Sequence, residues 1–179
     1  MKKLICLTLV SVLFSTPSVF AAKKKVLDAK IDQAIEEFYE HTSAGKKLAE
    51  DAAGMLVFPT VGKAGFGVGG EYGEGALFVN GKRVQYYSTA SASIGFQIGV
   101  QSRSQIILFL EKSALKKFRE SDGWEVGVDG SVAIANIGAG GEIDSKTLDE
   151  PVVAFVFGNK GLMYNLSLEG SKLTKIVKD

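Results

Sequence analysis

The sequence predicts an α+β protein, mostly β: a curved or barrel-like antiparallel sheet with N-terminal helices and one further helix near residues 113–120. Three observations predict it. Apolar residues near the start recur at spacings of three and four, the period drops to two from Met55 onward, and tight-turn dipeptides separate the strands. Glycine, 21 of 179 residues, concentrates in the second regime.

Taken in order, Leu27, Ile31, Ala34, Ile35 and Phe38 line one stripe of a helix over 26–38. Asp28, Asp32, Glu36, Glu37 and Glu40 line the other. Residues 46–53 continue as a second short helix ending near Gly54. The strands follow. Val84, Tyr86, Ser88 and Ala90 alternate with Gln85, Tyr87 and Thr89, and Ile94, Phe96, Ile98 and Val100 with Gly95, Gln97, Gly99 and Gln101. Trp124, Val126 and Val128, then Val132 and Ile134, then Leu162, Tyr164, Leu166 and Leu168 repeat the pattern, which predicts one buried and one more polar face for each strand. The apolar runs 106–110 and 152–157 read as strands covered on both faces. Asn80-Gly81 is a hairpin signal because both residues tolerate positive φ, and Asn159-Lys160-Gly161 reads as a second turn. Ser113 is the expected N-cap of the late helix, with Leu115 and Phe118 on its buried side.

The first residues predict a compartment. Lys2 and Lys3, the apolar run 4–14, the break at Thr16-Pro17-Ser18 and the Val19-Phe20-Ala21 cleavage pattern read as a secretory signal peptide cut after Ala21. The expected layout is a signal peptide over 1–21 and a single domain over 22–179, in the periplasm or attached to the envelope. The only cysteine, Cys6, leaves with the signal peptide, so the mature chain depends on its core without a disulfide. Basic and acidic side chains number 21 and 20 over the whole chain, a balance that argues against a nucleic-acid partner.

The stretch KAGFGVGGEYGEG, 63–75, contains G-x-G-x-x-G at Gly65, Gly67 and Gly70. A dinucleotide fingerprint needs a helix after the glycines, but Gly70 is followed by Glu71-Tyr72-Gly73-Glu74-Gly75 and then by the strand 76–79 with its hairpin turn. The glycines read instead as bulges, bends and points of close backbone approach in a curved sheet. A similar string, Gly138-Ala139-Gly140-Gly141-Glu142, hints at an internal duplication. His41 is the single histidine and reads as a solvated residue; a zinc site lacks ligands, and no cofactor is expected. The acidic group Glu142, Asp144, Asp149 and Glu150 lacks calcium-loop spacing and reads as a solvated loop.

The string 54–70, GMLVFPTVGKAGFGVGG, continued by Gly73-Glu74-Gly75-Ala76-Leu77, strongly resembles the SYLF domain family of lipid-binding proteins. Tyr86-Tyr87-Ser88, the segment 92–101 (ASIGFQIGVQ) and Ser167-Leu168-Glu169-Gly170 add to the resemblance. It implies a non-enzymatic lipid-binding protein that associates peripherally with anionic membrane lipids. Some eukaryotic members bind actin, a partner that an exported bacterial protein would not meet. The residues that match the family's basic, amphipathic N-terminal region are Lys23, Lys24, Lys25, Leu27 and Lys30, although acidic residues dominate the rest of that helix. A second cationic group is Lys112, Lys116, Lys117 and Arg119, with Lys112 and Lys116 four residues apart on one helix face. The alternatives are a small outer-membrane β-barrel, an envelope protein-interaction module without lipid specificity, and a hydrolase using carboxylates such as Glu71 and Glu142.

Overall fold

The computed structural model describes residues 19–136, 150–160 and 168–178. Helix α1 spans Val19–His41 and α2 Ser43–Asp51; β1 is Gly54–Val79 and β2 Lys82–Phe109. Helix α3, Lys112–Glu120, precedes β3 (Trp124–Glu125), β4 (Ala133–Asn136), β5 (Val152–Lys160) and β6 (Lys172–Ile176). The strands form one sheet, curled into a half-barrel, in the order β3-β6-β2-β5-β4 with β1 on the other side of β2.

The sheet is organised by the long β1–β2 hairpin. Asn80 and Gly81 close it with φ of 51° and 71°, the positive values that the two-residue turn requires. Beyond the turn β2 pairs with β1 along its whole length, while its other edge changes partner: residues 86–90 pair with β6 and 102–109 with β5. All these pairs are antiparallel, as expected, but β4 runs parallel to β5. The β1–β2 register shifts between Phe58 and Val61, where Pro59 has no N–H to give the ladder, and Ser104 Oγ donates to the Pro59 carbonyl at 3.0 Å.

Strand β1 folds back on itself, so that residues 54–62 run against residues 72–78. The glycines mark the contact. A Cβ at Gly75 would lie 2.0 Å from the Val57 carbonyl oxygen, and one at Gly73 2.8 Å from that of Thr60. Close backbone approach is what Gly73 and Gly75 require, whereas a Cβ at Gly70 would make an ordinary contact with the Ser91 carbonyl oxygen at 3.7 Å.

The alternating side chains of the curled sheet build two cores. One face packs Leu56, Phe58, Leu77, Ile107 and Phe109 against Leu115 and Phe118 of α3 and against Trp124. The other packs Val57, Ile106, Leu108, Val153 and Phe155 under α1, whose Ile31, Ala34 and Phe38 are spaced as one helical stripe. Phe38 meets Phe155 edge-on at 5.0 Å, and each such buried large side chain contributes about 1.5–3 kcal/mol. The runs 106–109 and 152–157 are buried on both faces, as their uninterrupted apolar character implies.

Several local expectations need correction. Glu111, not Ser113, stands at the N-cap of α3 and makes no side-chain cap; Ser113 Oγ donates to its carboxylate instead. The strand expected through Val128 stops at Glu125, because the chain turns at 127–129. Asn159 and Lys160 of the expected turn belong to β5, and Gly161 lies outside the described residues. In β2 the buried side near 87 is Tyr87 and Thr89, while Val84 is exposed, and further on Gln101 is buried while Val100 is 77% exposed. The apolar alternation thus faces the opposite way at both places. The string 138–142, the carboxylates Glu142, Asp144 and Asp149, and the strand expected at 162–166 lie outside the described residues; Glu150 is exposed.

Candidate functional site

Helix α3 is held by two aromatic-lined anchors three residues apart. Leu115 and Phe118 are buried, and the Phe118 ring lies 4.7 Å from Phe109, 4.9 Å from Tyr87 and 5.8 Å from Trp124. With that face fixed, Lys112, Lys116 and Arg119 fall on the outer stripe and line a shallow cavity of about 390 Å³ with Leu115 and Glu120. Among the described residues only Lys116 has an ionic neighbour there, Glu120 at 3.9 Å, and both are largely exposed, so the pair neutralises little. Lys117 is turned away, its Nζ donating to the Asp129 carbonyl. Burial pushes the Tyr87 hydroxyl above its ordinary pKa, and the Arg119 charge opposes part of that. Chemically, the cavity is a cation-lined depression suited to an anionic headgroup.

The N-terminal lysines sit on the opposite face of the sheet, level with the same stretch of β2. Lys23 and Lys25 are exposed, and Lys24 Nζ stands 5.8 Å above the Tyr86 ring. Around Tyr86 two other positive charges, Arg83 and Lys178, are already matched. Arg83 contacts Asp28 at 3.0 Å and Asp32 at 2.9 Å, and Lys178 contacts Glu74 at 2.7 Å. Tyr86 donates to Asp28 at 2.7 Å; burial first, and this hydrogen bond second, raise its pKa. Burial pulls Glu74 upward, but the hydrogen bonds from Lys178 and Tyr72 together hold its carboxyl below the ordinary value. Leu27 is half-buried against the core under α1, and Lys30 lines a separate cavity of about 480 Å³ with Glu37 and His41. The structure therefore brings Lys112, Lys116 and Arg119 together, but it places the Lys23–Lys25 run, Lys30 and Lys117 elsewhere.

The sequence reading named Glu71 as a candidate carboxylate but missed the buried group it belongs to. Glu71 bridges Lys63 at 3.1 Å and Arg103 at 2.5 Å, with all three side chains at most 8% exposed. The signal was present: Gln101, Arg103 and Gln105 continue, two residues at a time, the buried row of Ile107 and Phe109. No cluster of three or more His, Cys, Asp or Glu suited to a metal occurs among the described residues. Nor is any helix among them long and apolar enough to cross a membrane.

The family model Ysc84, described as Las17-binding protein actin regulator, matches residues 90–177. The matched span contains the C-terminal part of β2 and everything that follows, including α3; the glycine string 54–77 and the N-terminal lysines precede it. No curated protein matches the chain.

Proposed function

The chain carries a SYLF (Ysc84) family domain over residues 90–177, and from that premise we propose that it is a non-enzymatic, peripheral lipid-binding protein of the bacterial envelope. In this reading residues 1–21 direct export, and the outer face of α3 binds anionic phospholipid headgroups. The observation that carries it is the convergence of Lys112, Lys116 and Arg119 on one depression with a single weak ionic neighbour among the described residues. The same helix lies inside the family-matched span, which the N-terminal run does not. Lys23 and Lys25, exposed beside Val26, are auxiliary contacts on the other face.

Near an anionic surface each basic residue contributes about 1 kcal/mol, so three contribute about 3 kcal/mol, or roughly a 150-fold change in affinity. Replacing Lys112, Lys116 and Arg119 together by alanine is expected to weaken binding to phosphatidylglycerol-rich vesicles by up to that factor. Unchanged binding would remove α3 from the proposal. A membrane barrel is disfavoured because α1 packs across one face of β1, β2 and β5. A protein-interaction module is the second reading, favoured by Val84 and Val177, exposed on one cavity near Lys24 and Tyr86. Actin is no part of the proposal for an exported chain.

A further inference from the structure

The fold-back of β1 encloses charge. Lys63 and Glu71 are eight residues apart in one strand, a span of about 26 Å if straight, yet their side chains meet at 3.1 Å. On the neighbouring strand Arg103 and Gln101 stand opposite Val61 and Lys63, and Gln105 opposite Phe58. Arg103, Gln101 and Gln105 are 2%, 1% and 1% exposed.

The cluster is incomplete in both charge and hydrogen bonds. Among the described residues two cations share one carboxylate, a formal excess of one positive charge in a buried place. Among the described residues, Arg103 Nε and Nη1, both polar atoms of the Gln101 amide and the Gln105 Nε2 have no hydrogen-bond partner. Buried donors without acceptors are rare because each forfeits its hydration with nothing in return. Most of these are donors: four nitrogens lack an acceptor, and one amide oxygen lacks a donor. An oxygen-rich anion that also bears a hydroxyl would supply both kinds of missing partner.

We propose that Lys63, Gln101, Arg103 and Gln105 form an internal site for an oxyanion of the phosphate or phosphomonoester class. Its oxygens accept from Arg103 and the two amides, its charge balances the second cation, and its hydroxyl donates to Gln101 Oε1. Glu71 positions Arg103 and Lys63 and does not touch the ligand. The site is separate from the outer face of α3, so the two readings stand or fall independently.

The test is a thermal-unfolding series on the purified protein with three probes: inorganic phosphate, acetate and dihexanoylphosphatidic acid below its micelle concentration, each against chloride at equal ionic strength. A hundredfold excess of a true ligand over its dissociation constant is expected to raise the midpoint by roughly 5–10 °C. A rise with phosphate assigns a free oxyanion, and a rise with the short lipid alone assigns a headgroup. Two variants locate the effect. Gln101→Leu keeps the ion pairs and the fold but removes an acceptor and a donor, and is expected to lose most of the ligand-induced rise; Lys116→Glu on α3 is expected to keep it. No rise beyond chloride with any probe, or a rise that Gln101→Leu retains, would overturn the proposal and leave a charge cluster that serves the fold alone.

Discussion

Gly75→Ala probes the feature on which the architecture depends, the fold-back of β1. An added Cβ would sit 2.0 Å from the Val57 carbonyl oxygen and 2.7 Å from Phe58 Cδ1. Carbon–oxygen contacts are comfortable only beyond about 3.3 Å, so the two halves of the strand would have to separate by roughly 1 Å. Both sides are held: Val57 and Phe58 are buried in the two cores, so no flexible side chain can yield. Overpacking of this kind costs about 1–3 kcal/mol, and a backbone clash belongs at the upper end. In a domain of this size about 3 kcal/mol lowers the midpoint by roughly 6–12 °C. Gly62→Ala and Gly70→Ala are the internal controls, because their nearest atoms are carbonyl oxygens at 3.9 Å and 3.7 Å. Alanine there fits, and its stiffer unfolded chain is expected to change stability by less than about 1 kcal/mol. Circular dichroism melts of the three variants decide the matter. Equal melting of Gly75→Ala and Gly62→Ala would refute the close-approach account of the glycines. Unfolding of Gly70→Ala, the last glycine of the G-x-G-x-x-G spacing, would show that the spacing matters for another reason.

Two further predictions concern local chemistry. Thr42 Oγ1 accepts from the Gly45 N–H at 3.1 Å and caps α2, so Thr42→Ala is expected to cost about 1 kcal/mol in urea unfolding. Because the Glu74 carboxyl is held below its ordinary value of 4.5, its stabilising contribution is complete above that pH and is lost as pH falls through the lower, folded value. Lys178→Met removes the strongest of the attractions that lower it. The stability gap between this variant and the parent protein is expected to be full at about pH 6 and to shrink as pH falls below 4.5; a gap that stays constant into acid would contradict the assignment.

The sequence made the fold class legible through period alone. The α1 stripe, the Asn80-Gly81 turn and the doubly covered runs are local signals, and each is found where it was expected. What stayed hidden depends on contacts between distant segments. The parallel direction of β4 beside β5 leaves no trace in alternation, which is the same for either direction. The glycines signalled a close approach without naming what approaches. The reversal of the buried face in β2 follows from the fold-back, which carries Gln101 and Arg103 inside and leaves Val100 in water. At the candidate site, the four-residue spacing of Lys112 and Lys116 placed two cations correctly. That Arg119 joins them while Lys117 turns to Asp129 is fixed by how Leu115 and Phe118 seat the helix. The separation of the N-terminal lysines from α3 by the sheet is a tertiary fact that no local pattern carries.

The central claim, electrostatic recognition of anionic lipid by an exported domain, is tested most directly by co-sedimentation of residues 22–179 with vesicles. Phosphatidylcholine alone is compared with phosphatidylcholine–phosphatidylglycerol mixtures across a salt series. The account predicts binding only when phosphatidylglycerol is present, and progressive release as ionic strength shortens the screening length from about 30 Å at 0.01 M to about 8 Å at 0.15 M. Equal binding to both vesicle types, or no binding to either at low salt, would contradict it.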